Sequence, residues 1–299
     1  MLNGIMNIYK EKGFTSHDVV AKMRGICGQK KIGHTGTLDP DAVGVLPVCL
    51  GSGTKLCDML TDKDKEYVAV LRLGVTTDTQ DMSGTVLTES PVEADEQQVR
   101  DAILSFVGDY QQIPPMYSAL KVNGKKLYEL ARAGKEVERE ARPVKILEIE
   151  ILSVDLPLVK MRVLCSKGTY IRTLCADIGE KLGCGGAMEH LTRTRVERFK
   201  IDEAITLSQL QTLKDEGRLE EAMIPVDQCF LQYEALHVKP DFRKLLDNGN
   251  AFYANQTLEN HSAPAGVWNR VYVGEKFYGI FAYEPKERRF APVKMFLEQ

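Results

Sequence analysis

Apolar residues recur along this chain with two spacings, one typical of helices and one typical of strands. Helical spacing follows four residues that can cap a helix N-terminus: Thr15, Asp95, Thr169 and Thr206. The helix that starts after Asp95 is expected to end at Gly108, since glycine favours the backbone conformation that terminates a helix.

Alternating or continuous apolar runs predict a larger number of strands. They lie at residues 6–9, 66–73, 147–151, 159–165, 188–199, 268–273, 276–283 and 292–296. Residues 46–50 fit either a buried strand or the start of a helix, and residues 74–84 form a connection. An extended segment, a hairpin-type turn at Asn123-Gly124 and a short helix are predicted between residues 117 and 133.

These elements predict an α+β fold, with a mostly antiparallel mixed sheet flanked by helices. A linker at residues 225–233 precedes a small β-rich module. We therefore expect two domains, at residues 1–232 and 234–299.

Residues 31–47, KIGHTGTLDPDAVGVLP, interrupt the regular patterns. Three glycines and two prolines within this stretch exclude a helix and argue against a long strand. The stretch is expected to be a shaped loop, and it carries His34, Asp39 and Asp41. Loops held on a rigid scaffold are common places for catalytic groups.

Composition narrows the class of protein without identifying it. The 299 residues carry a net charge of −3, which argues weakly against nucleic-acid binding. Basic residues nevertheless cluster at 10–31 and at 121–145, although by composition alone solvated surface is the better explanation of both clusters. Neither a signal peptide nor an apolar run of membrane-spanning length is apparent, so a cytoplasmic protein is expected.

Metal and disulfide chemistry are not indicated by the sequence. The seven cysteines include no C-x-x-C pair, which is typical of reduced thiols in a cytosolic protein. The five histidines are far apart and lack the spacing of zinc ligands. We expect no metal and no cofactor.

Asp39 alone permits three interpretations. It could be a turn aspartate that bonds its own backbone. Residues 39–43, DPDAV, also fit the D-x-D-x-[TV] motif of haloacid-dehalogenase-type phosphatases, but that motif follows an apolar strand and residues 33–38, GHTGTL, cannot form one. The third interpretation comes from a family resemblance.

Residues 31–55, KIGHTGTLDPDAVGVLPVCLGSGTK, resemble the signature loop of the TruB family of tRNA pseudouridine-55 synthases. The similarity continues through residues 64–84, 113–134, 167–179 and 187–199, and residues from about 234 resemble a reduced PUA RNA-binding module. One departure is Glu11, where the family usually has proline after Lys10. The resemblance implies the pseudouridine synthase fold.

The resemblance also implies roles for individual residues. The implied catalytic residues are Asp39 as the nucleophile, Arg172 as its partner, and Tyr67, which stacks on the target base and is the candidate for taking the C5 proton. The implied substrate-binding residues are His34, Tyr170, Leu191 and Lys10. Because a guanidinium fork binds both oxygens of a carboxylate, Arg172→Lys should be poorly tolerated.

The function implied by the resemblance is isomerisation of uridine 55 in the TΨC loop of tRNA. The expected partner is the T stem-loop of tRNA, which the basic segment at 121–145 and the C-terminal module would grip, and the protein is expected to be a monomer. The alternative is a non-catalytic protein that binds or folds tRNA through the same surface.

Overall fold

The computed structural model describes residues 1–122 and 124–297. It has an α+β fold built on a nine-stranded, mostly antiparallel sheet and a second, five-stranded sheet. The predicted turn at Asn123-Gly124 includes Asn123, which lies outside the described residues.

Seven α-helices are present in the described residues. The α-helices are α1 (Ser16–Cys27), α2 (Cys57–Thr61), α3 (Glu96–Leu104), α4 (Leu127–Arg132), α5 (Ile171–Lys181), α6 (Leu207–Asp215) and α7 (Arg243–Asp247). Short 3-10 helices occur at Gly51–Leu56, Ile201–Glu203, Leu219–Ala222, Val226–Phe230, Pro240–Phe242 and Ala254–Gln256.

The large sheet has the strand order β1-β3-β12-β4-β11-β10-β7, with β2 paired to β3 and β13 paired to β12. Its strands are β1 (Gly4–Lys10), β2 (Ile32–His34), β3 (Val43–Leu50), β4 (Lys65–Leu73), β7 (Gly108–Gln112), β10 (Arg142–Asp155), β11 (Leu158–Cys165), β12 (Gly186–Val196) and β13 (Phe199–Lys200). Separate hairpins are formed by β5 (Val75–Thr77) with β6 (Val86–Glu89) and by β8 (Lys121–Val122) with β9 (Lys125–Lys126).

The C-terminal β domain contains the five-stranded sheet, in the order β14-β16-β17-β18-β15. Its strands are β14 (Glu234–His237), β15 (Phe252–Tyr253), β16 (Trp268–Val273), β17 (Lys276–Glu284) and β18 (Arg289–Met295). Phe230, from the preceding 3-10 helix, packs against Phe277 and Phe296. This aromatic group belongs to a core cluster that also contains Ile5 and Val45 of the large sheet, so apolar packing joins the two sheets.

Strand β4 occupies the centre of the large sheet. Its burial alternates along the whole strand, as expected for a strand with one face in a core. Tyr67, Ala69 and Leu71 share the buried face and pack with residues of β11 and α5. Helix α5 therefore covers the same face of the sheet on which Tyr67 lies.

The glycine-rich stretch differs from its prediction in one respect. Val43–Leu50 is an eight-residue buried strand that begins within the stretch, which settles the ambiguity at 46–50 in favour of a strand. Pro47 is accommodated in β3, between β1 and β2, and its carbonyl accepts a hydrogen bond from the Thr35 amide at 3.2 Å. Residues 35–42 form the loop proper.

Other differences have local physical causes. Helix α3 ends at Leu104, because Gly108 starts the edge strand β7 that pairs with β10. The predicted connection at 74–84 contains β5 of a hairpin. A bulge between Ile146 and Glu148 leaves Leu147 exposed and breaks the alternation predicted for β10.

The N-terminus of α5 also differs from prediction. Its N-cap position is Tyr170, without a side-chain cap. The Thr169 hydroxyl instead donates to the Ser166 carbonyl at 2.9 Å. In contrast, the capping sequences at Thr15, Asp95 and Thr206 are formed as predicted.

Gly44, near the start of β3, provides a test of how closely β3 must approach β12. It has φ +109°, and a Cβ atom there would lie 2.2 Å from the backbone carbonyl oxygen of Arg193 on β12. Gly44→Ala should lower the free energy of unfolding by about 3 kcal/mol. The added Cβ would force the backbone of β3 or β12 to move, and alanine would also be strained at this φ. Urea denaturation of the full chain measures this change.

The matched control is Gly28→Ala, at the end of α1. Gly28 also has positive φ, +63°, but a Cβ atom there would meet nothing within 4 Å. Gly28→Ala should lower the free energy of unfolding by only about 1 kcal/mol. Equal destabilisation by the two substitutions would show that the close approach of β3 and β12 is not the constraint.

Candidate active site

The loop 35–42, which carries Asp39, connects β2 to β3. The Ala42 amide donates to the Asp39 carbonyl at 3.1 Å, which closes a turn around Pro40. The Leu38 amide donates to the Ser16 hydroxyl at 2.9 Å, so the loop is also attached to the first turn of α1. These backbone contacts fix the direction of the Asp39 side chain.

Lys10 binds the backbone of this loop. Its side chain is fully buried, and its ammonium donates to the carbonyls of Glu11, Pro40 and Ala42 at 3.2, 3.0 and 2.6 Å. Burial lowers the pKa of Lys10 to about 8, and Asp39 opposes this effect. The substrate-binding role predicted for Lys10 stays a prediction, while its contacts in the structure are with the loop backbone.

Asp39 and Arg172 form a two-point ion pair. The Arg172 Nε lies 2.9 Å from Asp39 Oδ2, and Arg172 Nη2 lies 3.3 Å from Asp39 Oδ1. Arg172 projects from the first turn of α5 and is only 5% exposed, whereas the Asp39 side chain is 38% exposed. The carboxylate is therefore held from the protein side and remains accessible from the solvent side.

Two further carbonyls hold the guanidinium. Arg172 Nη1 donates to the Thr79 carbonyl at 3.0 Å, and Nη2 donates to the Tyr117 carbonyl at 2.8 Å. These acceptors come from the β5–β6 hairpin and from the segment after β7. A buried cation needs such partners, and they leave Arg172 little freedom to turn away from Asp39.

Asp81 is a member of this site that the sequence analysis missed. Its Oδ2 lies 3.7 Å from Arg172 Nε, while its Oδ1 accepts from the Thr79 and Ser83 hydroxyls at 2.7 and 2.5 Å. The Thr- and Asp-rich sequence around Asp81 predicts a turn. A turn prediction gives no indication that Asp81 lies close to Arg172. The available signal was its position within a block that resembles the family.

Tyr67 lies on the buried face of β4, on the core side of Asp39. It is 7% exposed, and burial raises its pKa to about 12, while Arg193 opposes the increase. Arg193 is its partner on the neighbouring strand β12, and both side chains are buried on the same face of the sheet. The sequence analysis did not single out Arg193, since one arginine in an alternating strand normally faces solvent.

The remaining predicted binding residues surround this centre. Leu191 is buried on β12 in the same core cluster as Leu38 and Tyr67. Tyr170 is half-buried at the start of α5, where its backbone exchanges two hydrogen bonds with the Gln112 side chain, at 2.8 and 2.9 Å. Burial raises the pKa of Tyr170.

His34 lies on β2, at the entry to the loop. Its ring packs edge-on against His17 with 5.4 Å between centroids, and its Nδ1 accepts from the Gly36 amide at 3.3 Å. Burial lowers the pKa of His34 to about 4, so the ring is neutral at neutral pH. Its chemistry is therefore that of a neutral hydrogen-bonding aromatic ring.

The arrangement provides an accessible carboxylate, a buried cation that orients it, and a buried phenol. A carboxylate of this kind can act as a nucleophile without a separate base. Within residues 1–122 and 124–297, no group of three or more His, Cys, Asp or Glu side chains is placed to hold a metal ion. Over the same residues, no helix is long and apolar enough to cross a membrane.

Comparisons with known proteins identify the family. Residues 24–171 match the model of the TruB family pseudouridylate synthase N-terminal domain, and residues 172–231 match that of the tRNA pseudouridylate synthase B C-terminal domain. The chain belongs to the TruB family of pseudouridylate synthases. The second matched segment begins at Arg172, so Asp39 and Arg172 lie in different family models.

Relatives of similar length support this membership. The chain is 53% identical to tRNA pseudouridine synthase B of Lachnoclostridium phytofermentans, with 99% of this chain and 100% of that protein covered. It is 46% identical to tRNA pseudouridine synthase B of Alkaliphilus oremlandii, with coverages of 98% and 97%. The resemblance to the TruB family is thereby confirmed.

Solved structures agree with the fold of this family. A Cbf5-Nop10-Gar1 complex contains a chain of TM-score 0.72 and 28% identity, which covers 99% of this chain and is itself 85% covered. An H/ACA RNP bound to a substrate RNA containing 2'-deoxyuridine contains a chain of TM-score 0.73 and 26% identity, with coverages of 98% and 85%. The predicted α+β pseudouridine synthase fold is confirmed.

The protonation of Asp39 provides a test of the site. Burial raises the pKa of Asp39 and the Arg172 guanidinium lowers it. Arg172→Met should therefore raise the pKa of Asp39 further, so that the carboxylate takes up its proton at higher pH than in the wild type. Titration of carboxyl carbon shifts by NMR, with Asp39 assigned by its loss in Asp39→Asn, measures this change.

Asp18 serves as the internal control of that titration. Its pKa is lowered by hydrogen bonds from Thr15, which the substitution does not affect. An unchanged pKa of Asp39 in Arg172→Met would show that the ion pair is not the main interaction of the carboxylate.

Proposed function

We propose that this protein isomerises uridine 55 in the TΨC loop of tRNA to pseudouridine, with Asp39 as the nucleophile. The observation that supports the proposal most directly is the two-point pair of Asp39 with Arg172, with the outer side of the carboxylate open. Relatives over the whole chain carry the name tRNA pseudouridine synthase B, which favours tRNA as the substrate.

The reaction requires only groups that this site supplies. The uracil N1–C1′ bond breaks, the base turns, and C5 joins C1′, with no net oxidation and no net uptake of water. An ionised carboxylate can start this sequence, and Arg172 keeps Asp39 charged and oriented.

The buried residues beside Asp39 fit the handling of the base. In the proposal, Tyr67 stacks on the target uracil and its hydroxyl takes the C5 proton, while Tyr170 and Leu191 line the uracil pocket. His34 fills the space that the flipped base leaves in the RNA. A neutral imidazole suits this last role, because it can stack on bases without a desolvation penalty for a charge.

The segment from Lys121 to Lys145 would hold one side of the RNA. It forms the small β8–β9 hairpin, α4 and the start of β10, and its basic side chains are mostly exposed, as at Lys121, Lys125 and Arg142. Base flipping costs a few kcal/mol, which contacts to the RNA backbone must offset. The position of this segment fits that role, since Tyr117 just before it contacts Arg172.

The C-terminal β domain would hold the other side. We propose residues 1–232 as the catalytic domain and residues 234–299 as a PUA-like RNA-binding domain. The second family model ends at residue 231, immediately before β14, which supports this boundary. In this proposal the protein acts as a monomer in the cytoplasm, where tRNA is found.

Asp39→Asn tests the enzymatic function directly. The variant should lose at least about 10³-fold in the rate of pseudouridine formation in a tRNA transcript, because the amide is a poor nucleophile. Binding of the transcript should change little. Pseudouridine at position 55 is measured by chemical labelling and primer extension, and binding by filter retention.

The matched control is Asp41→Asn in the same loop. The Asp41 side chain is 57% exposed and lies 3.9 Å from the Lys12 ammonium, so it should keep near-wild-type activity. A wild-type protein that binds tRNA tightly but forms no pseudouridine would support the non-catalytic tRNA-binding alternative instead.

Salt dependence tests the RNA-binding segment. Affinity for the transcript should fall as salt rises, and Lys121→Gln combined with Lys125→Gln should reduce the slope of log K against log[salt] by about 2 if both contact phosphates. Lys160→Gln is the control, since Lys160 is exposed on the opposite face of the sheet from Tyr67. Equal slopes for the double variant and the wild type would exclude this segment from the interface.

A further inference from the structure

Arg193 is among the most deeply buried charged residues of the described chain. It lies on β12, is 1% exposed, and its Nε donates to the Val45 carbonyl at 2.7 Å. Its Nη1 and Nη2 lie 3.4 and 3.2 Å from the carbonyls of Thr37 and Gly36. The guanidinium thus sits directly under the loop that carries Asp39.

No carboxylate in residues 1–122 and 124–297 forms an ion pair with Arg193. This is unusual, because a buried cation without an anion is costly and proteins normally pair it. Two neighbouring cations, Lys10 and Lys65, are likewise buried and bonded to backbone carbonyls. Three buried cations therefore lie close to the loop, and Lys10 and Arg193 bind its backbone carbonyls directly.

The polar side chain beside Arg193 on the neighbouring strand is Tyr67. Arg193 and Tyr67 are direct partners on the antiparallel strands β12 and β4, and their buried side chains lie on the same face of the sheet. Because arginine can only donate, the tyrosine oxygen would be the acceptor of a hydrogen bond between the two side chains. The Tyr67 proton is then free to point elsewhere, and negative charge on the oxygen would be stabilised.

We propose that Arg193 is a positioning residue of the isomerisation, which holds the Tyr67 oxygen and stabilises its phenolate when the C5 proton is removed. The inference rests on the proposed function, and in particular on Tyr67 as the acceptor of that proton. The phenolate supplies the negative charge that the buried guanidinium otherwise lacks.

The step balances as follows in atoms and electrons. Once C5 is joined to C1′, C5 carries both its hydrogen and the sugar, and N1 is doubly bonded to C6. Tyr67 is a phenol at neutral pH, so it first gives its proton to solvent. The phenolate oxygen then takes the C5 proton, the C5–H electron pair forms the C5=C6 bond, and the N1=C6 pair moves to N1, which takes a proton from solvent. Tyr67 leaves the step as the phenol with which it began.

Charged and titratable groups from three elements face Tyr67. They are Arg193 of β12, Cys165 of β11 and Asp39 of the loop. Only Arg193 favours the phenolate, while burial, Cys165 and Asp39 all oppose it. Loss of Arg193 should therefore leave Tyr67 as a much poorer proton acceptor at neutral pH.

The test measures C5 proton removal in the full chain with a tRNA transcript. Arg193→Gln should slow tritium release from 5-tritiated uridine by about 10²-fold, the usual effect of a lost general base. It should also raise the kinetic isotope effect of 5-deuterated uridine above that of the wild type, because proton removal becomes rate-limiting. Arg193→Lys should restore most of the release, since it keeps the charge.

Lys10→Met is the matched control for a purely structural effect. Lys10 also holds the loop through carbonyls, but it does not contact Tyr67. Lys10→Met should lower the rate of tritium release without raising the kinetic isotope effect of 5-deuterated uridine. If Arg193→Gln behaves like Lys10→Met, or if Arg193→Lys is as impaired as Arg193→Gln, the inference is overturned.

A double substitution tests whether Arg193 acts through Tyr67. Tyr67→Phe combined with Arg193→Gln should release tritium no more slowly than Tyr67→Phe alone. Additive losses would place the action of Arg193 elsewhere. Replacing Tyr67 by 3-fluorotyrosine, a more acidic phenol, should partly rescue Arg193→Lys and Arg193→Gln, and absence of rescue in whichever variant folds would also count against the inference.

Failure of the inference and failure of the proposed function are distinguishable. If the wild type forms no pseudouridine at position 55, the proposed function is wrong. If the wild type is active but Arg193→Gln leaves C5 proton removal unchanged, only the role of Arg193 is wrong.

Discussion

The ion pair between Asp39 and Arg172 is the interaction on which the site depends, and it joins residues 133 positions apart in sequence. The same guanidinium binds a carbonyl of the β5–β6 hairpin and a carbonyl of the segment after β7. Three loops therefore meet at one buried cation. Because a buried arginine is tolerated only with its donors satisfied, the position of each loop depends on the others.

Two buried cations hold the loop that carries Asp39. Lys10 and Arg193 bind its backbone carbonyls, which satisfies those oxygens and leaves the carboxylate free for Arg172. Such contacts position a loop that cannot form regular structure of its own. They also place positive charge close to the Asp39 carboxylate and the Tyr67 phenol, so the same cations contribute to the structure and to the electrostatics of the candidate site.

The accuracy of sequence prediction here followed the range of the interaction concerned. Capping sequences at Thr15, Asp95 and Thr206 gave helix starts correctly, because an N-cap is a contact within four residues. Thr169 looked equivalent, but its hydroxyl bonds back to Ser166. The edge strand β7 was missed, since its polar sequence pairs with β10 for reasons that no local pattern contains.

The sequence by itself determined the α+β class, most helices and central strands, the family, and the segments in which the side chains of the candidate site lie. Periodicity and capping are local properties, and a long gapless motif is specific enough to indicate its family. Tertiary structure alone decided that Asp81 approaches Arg172, that Lys10 lies beneath the loop, and that Arg193 faces Tyr67 without a carboxylate partner in the described part of the chain. Burial and the pairing of charges depend on which strands become neighbours, and that information is distributed over the whole chain.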